Sequence, residues 1–402
     1  MSLTELLSIA EAEALIAQHM PSFGSERIRL DRAAGRILRQ AVHAEHDHPP
    51  FDRVMMDGIA VRWSASLPRE FTLAGSQMAG MSMQTLADAT GCIEVTTGAM
   101  LPIGCDCVIP VEQLRRDSAH YQLIDGYQPS RGQFIHARAS DCVAGTRLLE
   151  AGMRIGAPEA ALLAANGLAS VEVGKTPSIA IVSTGDELVD VGSSLGEGQI
   201  RRSNDIAIAT ALRLHGFDRI ALEHIADDVA ATQDRLTRLL GEHDVLILSG
   251  GVSMGQRDYV PAALDALGVR RVFHRIAQRP GKPMWFGIGP RQQAVFALPG
   301  NPVSALVCAI RYVKPALLVS LGMKPAPTEV VRLEAEVDTN PMLTCFVPAY
   351  VQTDAQGRSV ARPVPARTSG DFSALPHTHG VVQLPPGNAR VPAGSVVEFH
   401  RW

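Results

Sequence analysis

The stretch Phe296-Ala297-Leu298-Pro299-Gly300-Asn301-Pro302-Val303-Ser304-Ala305-Leu306 decides the fold of this chain. The apolar run Ala294 to Leu298 predicts a buried strand that ends in a tight Pro-Gly turn. A helix is predicted to begin at once, because Asn301 is a good N-cap residue and Pro302 suits the first helical position. The free N–H groups and positive dipole end of such a helix favour an anion. The same pattern also fits a plain, well-capped strand–helix junction.

Two upstream strands are predicted to end in glycine-rich turns of the same kind. Residues Ser178 to Ser183 form an apolar run that leads into Thr184-Gly185-Asp186-Glu187. Residues Val245 to Leu248 form another, which leads into Ser249-Gly250-Gly251-Val252-Ser253. Helical patterns lie between these runs, so the fold class is α/β, with a parallel sheet and crossover helices. Ligands bind at the carboxyl ends of the strands of such sheets, and the three turns therefore predict one shared cleft.

Composition and charge restrict the class of protein. The chain has 402 residues, 46% of them hydrophobic, and its 37 Lys and Arg nearly balance its 41 Asp and Glu. The net charge of −4 gives no basic surface of the kind that binds nucleic acid. No apolar run is expected to approach the ~18 residues of a membrane helix. The six cysteines show neither disulfide nor zinc spacing, which favours reduced thiols and a cytoplasmic location.

The pattern of the N-terminal half changes twice. Residues 1 to about 48 predict two helical segments. The first has one apolar face, formed by Leu6, Leu7, Ile9, Leu15 and Ile16. The second runs from about Arg32 to Ala44. From His48 to about Ala139, short alternating runs with many turns predict β structure. Helix and short strand return from Val143 to about Val173, with a helix over Pro158 to Asn166 that stops at Gly167.

The C-terminal half divides into two patterns. Residues 177 to about 322 form the predicted α/β unit. Its helices begin at Ser203 or Asn204 and at Asp227 or Asp228, and they end near Gly216 and Gly241. After this unit, apolar residues alternate at Val331, Leu333, Ala335 and Val337, which predicts a final β domain.

Charged residues gather at the predicted cleft. The acids are Asp186, Glu187, Asp227, Asp228 and Asp258, and each has an ordinary alternative explanation as a helix cap or first-turn residue. Acids and an anionic ligand share a cleft when a cation bridges them, and hard oxygen ligands suit Mg²⁺. The turn Arg279-Pro280-Gly281-Lys282-Pro283 adds two cations suited to a phosphate or oxyanion. The residues predict a Mg²⁺-assisted site for a phosphorylated or nucleotide-bearing ligand.

These motifs resemble those of the molybdopterin molybdenumtransferases, the family of bacterial MoeA proteins and of the plant and gephyrin E domains. The matching stretches occur in the family's order over nearly the whole chain. They are Pro49-Pro50-Phe51-Asp52, Met56-Asp57-Gly58, Thr97-Gly98-Ala99, Leu101-Pro102, Ser183 to Leu188, Asp227-Asp228, Ser249 to Ser253, Asp258-Tyr259, Arg279 to Pro283 and Leu298 to Ser304.

The resemblance implies four domains. An elongated helical domain would comprise residues 1–48 and 142–176, and a β domain would be inserted at 49–141. The α/β domain shared with the molybdopterin adenylyltransferases would cover 177–324, and a β barrel would cover 325–402. The resemblance also implies a homodimer, in which each cleft combines the α/β domain of one subunit with the inserted β domain of its partner.

The implied reaction is insertion of molybdenum into adenylylated molybdopterin, with release of AMP and formation of molybdenum cofactor. Mg²⁺ is the implied cofactor, and molybdate and adenylylated molybdopterin are the substrates. A molybdopterin adenylyltransferase and acceptor molybdoenzymes are the implied partners, whereas neither nucleic acid nor a membrane is expected.

The expected site residues combine the cleft turns with acids of the inserted domain. The expected catalytic residues are Asp57, Asp141, Glu187, Asp228 and Asp258, of which Asp57 and Asp141 are implied to face the partner's cleft. The expected substrate-binding residues are Thr97, Ser183, Thr184, Gly185, Ser249, Gly250, Gly251, Ser253, Arg279, Lys282, Pro299, Gly300, Asn301, Pro302 and Ser304. The expected metal ligands are Asp186, Glu187, Asp227, Asp228 and Asp258, and which of them contact the ion stays open.

Some residues depart from the family pattern. An arginine-rich run is replaced by His136-Ala137-Arg138-Ala139-Ser140-Asp141, an acid by Arg202, and a stretch containing Ala and Asn by Pro376-His377-Thr378-His379-Gly380. The loss of basic residues around His136 and the charge reversal at Arg202 motivate an alternative, a paralogue that binds molybdopterin-nucleotide or cofactor as a carrier for a dedicated molybdoenzyme without inserting metal. A second alternative is other chemistry on the same α/β domain, such as adenylyl transfer. Tungstate in place of molybdate also stays open, because the two oxyanions have nearly the same size and charge.

Overall fold

The structure is a computed structural model that describes residues 6–251, 260–325, 327–364, 368, 370–373, 375–387 and 390–402. The chain forms two compact units. The first contains Met1–Gln40, Ala151–Ala157 and Ser170–Trp402, and the second contains Ala41–Glu150 and Pro158–Ala169. The four domains expected from the sequence divide the chain more finely, and their boundaries stay a prediction.

The helices lie mainly in the first unit. The described helices are α1 (Ile9–His19), α2 (Ala157–Ala165), α3 (Asn204–Arg213), α4 (Val229–Glu242), α5 (Val260–Ala266), α6 (Pro302–Cys308) and α7 (Lys314–Ser320). α1 begins with a capping box, because the Glu11 N–H donates to Ser8 Oγ and the Ser8 N–H donates to the Glu11 carboxylate. A π-helical turn, Ala309–Val313, joins α6 to α7 in one helical run.

The strands are short, and those of the α/β part are the most apolar. In the N-terminal region they are β1 (Ser25–Arg29), β2 (Val42–His43), β3 (Arg53–Val54), β4 (Gly58–Val61), β5 (Glu70–Gln77), β6 (Gly91–Val95), β7 (Cys107–Pro110), β8 (Leu114–Asp117), β9 (His120–Leu123), β10 (Ile135–His136) and β11 (Arg147–Leu149). In the middle they are β12 (Ser170–Gly174), β13 (Ile179–Thr184), β14 (Leu188–Val189), β15 (Ile200–Arg201), β16 (Ile220–Ile225), β17 (Val245–Ser249), β18 (Arg270–His274), β19 (Gln278–Arg279), β20 (Trp285–Ile288) and β21 (Ala294–Leu298). At the C-terminus they are β22 (Glu329–Leu333), β23 (Val337–Asp338), β24 (Thr344–Thr353), β25 (Ser359–Pro363), β26 (Gly380–Leu384), β27 (Arg390–Val391) and β28 (Val396–Arg401).

The α/β part is built on a six-stranded sheet with the order β16-β13-β17-β21-β20-β18. β13, β17 and β21 are parallel neighbours, so the three strands predicted from the sequence are confirmed. All their residues are buried, as expected for a parallel sheet covered on both faces. Ser183 lies opposite Ser249, and Ser249 lies opposite Leu298. The carboxyl ends of the three strands are therefore level at one edge of the sheet.

Two apolar clusters cover the faces of this sheet. Ile179 and Ile181 belong to one cluster and Ala180 and Val182 to the other, because successive side chains of a strand point to opposite faces. α1, α3, α6 and α7 complete the first cluster, and α4 and α5 complete the second. Each fully buried Val, Leu, Ile or Phe side chain contributes about 1.5–3 kcal/mol, so these faces fix the sheet between its helices.

The long helical run of the core contradicts one expectation from the sequence. Pro302–Ser320 has 19 residues and a mean hydropathy of 1.5, so it is long and apolar enough to cross a membrane. The expectation that no run approaches this length was wrong. The run is 67% buried, and its buried residues belong to the apolar core of the first unit. Burial in that core accounts for the composition.

The N-terminal region is less helical than predicted. α1 begins at Ile9, so Leu6 and Leu7 precede it. The prediction of a second helix from Arg32 to Ala44 was wrong. Leu38 instead forms an isolated bridge with Val173, and strand β2 follows. The apolar spacing of this segment reflects pairing with residues distant in the sequence, which a local helical pattern does not reveal.

The C-terminal region forms a closed five-stranded barrel. Its order is β24-β25-β22-β28-β26, and β26 closes the ring because it also pairs with β24. The predicted alternation holds at Val331, Leu333 and Val337, which are buried in the barrel, whereas Ala335 is exposed between two strands. β19 pairs with β24 and thereby attaches the turn that begins at Arg279 to the barrel.

The second unit confirms the predicted β region and the predicted helix beyond it. A six-stranded sheet has the order β7-β4-β6-β5-β9-β8. α2 covers Ala157–Ala165, close to the predicted span, and Gly167 follows it with φ of 73°. The Asn166 side chain accepts a hydrogen bond from the Glu45 N–H at 3.1 Å, which holds the helix end against a neighbouring segment of the same unit.

Gly174, at the end of β12, is a position where one added methyl group tests the packing of the first unit. A Cβ atom there would lie 2.3 Å from the carbonyl oxygen of Leu321 and 2.9 Å from its Cα. We expect Gly174→Ala to lower the free energy of unfolding by about 1–3 kcal/mol, because the added methyl group would clash with backbone atoms that cannot shift without strain. Chemical denaturation measures this change. Gly75→Ala is the control, since no atom lies within 4 Å of its Cβ position; equal losses in both variants would contradict the explanation.

Candidate active site

A cavity of about 1400 Å³ opens at the carboxyl ends of β13, β17 and β21. The three predicted turns line it together, which confirms the shared cleft. The residues that these turns contribute are Ser183, Thr184, Gly185, Ser249, Gly250, Gly251, Pro299, Gly300, Asn301, Pro302 and Ser304. Their roles in binding a ligand stay predictions. Ser253 and Asp258, also expected at the site, lie outside the described residues.

Asn204, the first residue of α3, ties two of the turns together. Its side-chain amide donates to Ser249 Oγ at 2.9 Å and to the Gly300 carbonyl at 2.7 Å. The Gly250 N–H donates to the Leu298 carbonyl at 3.1 Å, so the β17 and β21 ends are also joined directly. From the sequence, Asn204 is expected only as a helix start. Its position beside the cavity turns depends on contacts with Ser249 and Gly300, which are distant in the chain, so a local motif does not show it.

The helix after β21 begins as predicted, with one difference. Pro302 occupies the first turn of α6 and Asn301 the N-cap position, but the Asn301 side chain makes no capping hydrogen bond. The first-turn N–H groups of α6 are therefore not capped by that side chain. Both residues line the cavity, so the start of the helical run faces it.

Thr184 places a buried hydroxyl in the cavity wall. Its Oγ1 has no hydrogen-bond partner among the described residues. A buried polar atom without a partner is costly, and a bound ligand with a hydrogen-bonding group would satisfy it. This observation supports the prediction that Thr184 binds substrate.

The turn from Arg279 to Pro283 brings two cations to the cavity. Arg279 and Lys282 are exposed and line it. The Arg279–Pro280 peptide bond is cis. Charged donors on a turn held by β19 and β24 suit an oxyanion or phosphate, as the sequence predicted.

The predicted metal ligands divide into two groups. Glu187 and Asp227 line the cavity. Asp186 does not line it and accepts the Asp227 N–H at 2.9 Å, which joins the turn after β13 to the one before α4. Asp228 is the N-cap of α4, and its side chain accepts the Ala231 N–H at 2.7 Å. The capping explanation given for Asp228 is therefore confirmed, and its catalytic role stays a prediction.

These acids fit Mg²⁺ only together with a phosphorylated ligand. The described residues contain no group of three or more His, Cys, Asp or Glu side chains arranged to hold an ion. Mg²⁺ commonly binds through one or two carboxylates, substrate phosphates and water. Glu187 and Asp227 supply two carboxylates at the cavity, so the donor set suits that mode of binding.

The expected acids of the inserted domain lie in the second unit. Asp57 accepts hydrogen bonds from the Thr97 N–H at 2.6 Å and the Thr97 hydroxyl at 2.8 Å. These bonds lower the pKa of the Asp57 carboxyl, the backbone bond more than the hydroxyl bond, so it is charged at neutral pH. Asp141 contacts His136 at 2.7 Å, and the other ring nitrogen of His136 contacts Arg53 at 2.9 Å.

The departures at Arg202 and His379 have structural explanations. Arg202 lies in the cavity wall with its side chain largely buried, and it pairs with Asp190 at 3.2 Å and Asp205 at 3.4 Å. Asp205 is completely buried. His379 contacts the Val351 main chain through Nδ1 and packs on the Tyr350 ring at 4.6 Å, so its side chain takes part in the packing of the barrel.

The C-terminal region contributes a part of the cavity that the sequence did not predict. The residues from this part of the chain are Asp338, Thr339, Leu343, Cys345, Phe346, Val347, Pro348, Thr368, Gly370 and Phe372. Nothing in their local sequence indicates a ligand. Those in β24 reach the cavity because β24 pairs with β19, a contact between residues 66 positions apart in the chain.

Family models match nearly the whole chain. The MoeA N-terminal region (domain I and II) matches residues 7–167, a probable molybdopterin binding domain matches 180–319, and the MoeA C-terminal region (domain IV) matches 330–402. A molybdopterin molybdenumtransferase of Synechocystis is 38% identical over 400 residues, which covers 99% of this chain and 100% of the relative. One from Haemophilus influenzae is 34% identical over 79% of each chain.

Solved structures agree with these matches. Two structures of the molybdopterin biosynthesis MoeA protein of Pyrococcus horikoshii align with TM-scores of 0.80 and 0.82, at 28% and 25% identity. Each alignment covers 99% of this chain and at least 99% of the other. The chain therefore belongs to the molybdopterin molybdenumtransferase (MoeA) family.

Proposed function

We propose that this protein inserts molybdenum into adenylylated molybdopterin, releasing AMP and forming molybdenum cofactor. The observation that carries the proposal is the cavity at the three strand ends, which combines the Arg279 and Lys282 cations with the start of a helix. At about 1400 Å³ it has room for a ligand larger than a single ring system. A pterin joined to a nucleotide through two phosphates is such a ligand, and full-length membership of the family supports the choice.

Positioning is the main task of the protein in this reaction. Molybdate must lie beside the dithiolene sulfurs of the pterin, which requires preorganised cations and donors more than a nucleophile. Arg279 and Lys282 bind the oxyanion. The Thr184 hydroxyl and the N–H groups at the start of α6 bind the phosphates of the nucleotide. The walls of the cavity then hold both substrates in one place.

The acids supply the site for a Mg²⁺ cofactor. Glu187 and Asp227 would hold the ion, with Asp186, Asp228 and Asp258 as the further predicted ligands. The chemistry that Mg²⁺ would supply there is polarisation of the phosphoanhydride whose cleavage gives AMP. Without the metal, the carboxylates offset the positive charge of Arg279 and Lys282.

The proposed oligomeric state is a homodimer, and the proposed location is the cytoplasm. The protein acts in the cytoplasm as a homodimer, in which Asp57 and Asp141 of one subunit face the cleft of the other. A molybdopterin adenylyltransferase supplies the nucleotide substrate, and molybdoenzymes accept the product. Molybdate is the proposed oxyanion, with tungstate as the competitor that the assay compares.

Molybdate-dependent release of AMP tests the proposed function and the role of the cations together. We expect the protein with Mg²⁺ to release AMP from adenylylated molybdopterin when molybdate is added, and to yield active cofactor. Lys282→Gln should raise the KM for molybdate by about 10- to 100-fold, the effect of losing one charge-assisted hydrogen bond. Lys175→Gln is the matched control, because Lys175 is exposed on the same unit and does not line the cavity.

The same assay separates the alternatives. Tight binding of the nucleotide without molybdate-stimulated release would overturn the insertase proposal in favour of a carrier. If tungstate stimulated AMP release as strongly as molybdate does, the protein could not be assigned to molybdate alone. An unchanged KM in Lys282→Gln would show that this cation does not bind molybdate.

Asp228 allows its capping and catalytic roles to be separated. We expect Asp228→Ala to lower the free energy of unfolding by about 1 kcal/mol, because the cap to Ala231 is lost. Asp228→Asn keeps a capping oxygen and therefore the stability, but loses the charge. If the acid serves Mg²⁺, turnover in Asp228→Asn falls by about 100-fold or more. Denaturation and AMP release measure the two effects; full turnover in the Asn variant would leave capping as the only role.

Mixing two inactive variants tests the shared cleft of the dimer. Asp57→Ala and Lys282→Ala would each disable every site in their own homodimers. Random exchange of subunits makes half of the dimers mixed, and each mixed dimer has one intact site, so about a quarter of wild-type activity should return. Activity is measured after mixing, with gel filtration to confirm exchange. Exchange without recovery would argue against sites built from two subunits.

A further inference from the structure

The turn that carries the two cavity cations is anchored by a buried glutamine. All four residues Gln278, Arg279, Gly281 and Lys282 border the cavity, but Arg279 and Lys282 are exposed whereas Gln278 and Gly281 are buried. The relative exposure of Gln278 is 0%. A long polar side chain is seldom buried completely unless its amide is fully hydrogen-bonded.

Every hydrogen-bonding atom of the Gln278 amide has a partner. Its Nε2 donates to the Pro280 carbonyl at 3.0 Å and contacts Cys308 Sγ at 3.5 Å. Its Oε1 accepts the hydroxyl of Tyr312. The amide therefore fixes the turn from inside, one residue before Arg279 and four residues before Lys282. A Cβ at Gly281 would lie 2.5 Å from the Gln278 amide nitrogen and 2.6 Å from Cys308 Sγ, so the fit around this amide is tight.

Two partners of Gln278 belong to the helical run that begins at the cavity. Cys308 ends α6, and Tyr312 lies in the π-helical turn that follows it. α6 begins at Pro302, which lines the cavity on the side of the third strand end. One helical run therefore presents its first turn to the cavity and, further along, holds the amide behind the cationic turn. The π-helical turn sets the direction in which Tyr312 projects.

The burial of the two partners keeps them protonated. Tyr312 is 2% exposed, and burial raises the pKa of its phenol well above the ordinary value. Burial also raises the pKa of the Cys308 thiol to about 12. Both groups are therefore neutral at physiological pH, and the phenol remains a hydrogen-bond donor to Gln278 Oε1.

We propose that Gln278, Tyr312 and Cys308 form a positioning cluster that sets the separation between the Arg279 and Lys282 cations and the start of α6. The assignment rests on the proposed function, because it concerns the placing of an oxyanion beside a phosphorylated substrate in that cavity. None of the three side chains needs to touch a substrate. They act through the turn and the helix that do.

Tyr312→Phe and Gln278→Leu test the cluster without adding volume to the core. Both variants should raise the KM for molybdate by about tenfold and change kcat by less, because the cations are displaced from the oxyanion while the remaining site is kept. In the ligand-free protein, amide exchange in residues 276–284 should become about tenfold faster, because the turn loses an internal hydrogen bond. Exchange in β17 should not change. Tyr127→Phe is the matched control, since the Tyr127 hydroxyl also bonds a glutamine side chain, Gln133, away from the turn.

The results distinguish positioning from a simple loss of folded protein. A merely structural role would lower the active fraction and kcat while leaving the KM for molybdate unchanged, and that outcome would overturn the proposal. Unchanged amide exchange in both variants would also overturn it. If the wild-type protein releases no AMP, the proposed function fails, whereas the exchange comparison still decides whether the cluster holds the turn.

Discussion

The parallel pairing of β13, β17 and β21 is the constraint on which the rest of the site depends. The register places Ser183, Ser249 and Leu298 side by side, so three separate turns start at one level. Strands buried on both faces tolerate only apolar side chains within the sheet, and the polar residues therefore concentrate where the strands end. The cavity follows from this arrangement, because the crossover helices cover the faces of the sheet and leave its edge open.

Charge gives the cavity its chemical character. Two cations on one turn and two lining carboxylates on others face a common space, together with the start of a helical run. The charges of these two cations and two carboxylates cancel. The four side chains therefore favour a divalent cation and an anionic ligand that bind together. The cations then face the oxyanion and the carboxylates face the metal. A ligand with several phosphate or oxyanion groups satisfies both, whereas a neutral ligand satisfies neither.

The sequence predicted those parts of the fold and site that depend on neighbouring residues. The three apolar strands, their glycine-rich turns and Pro302 at a helix start are local patterns, and the structure contains them. The segment from Arg32 to Ala44 was assigned to helix because its apolar residues have helical spacing, but Leu38 pairs with Val173. The barrel wall of the cavity and the position of Asn204 also depend on contacts between distant residues. These contacts follow from tertiary packing, which overrides local pattern.

Arg202 shows how a departure from the family pattern is absorbed. A basic residue in place of an acid would add a positive charge to the cavity wall if it stood alone. Its side chain is instead largely buried between Asp190 and Asp205, and Asp205 is completely buried. A buried acid requires a compensating charge, so Arg202 stabilises the Asp205 carboxylate and Asp205 stabilises the Arg202 guanidinium. The positive charge of Arg202 is therefore matched by two acids within the protein, and the exchange of residue is compatible with the proposed insertion of molybdenum.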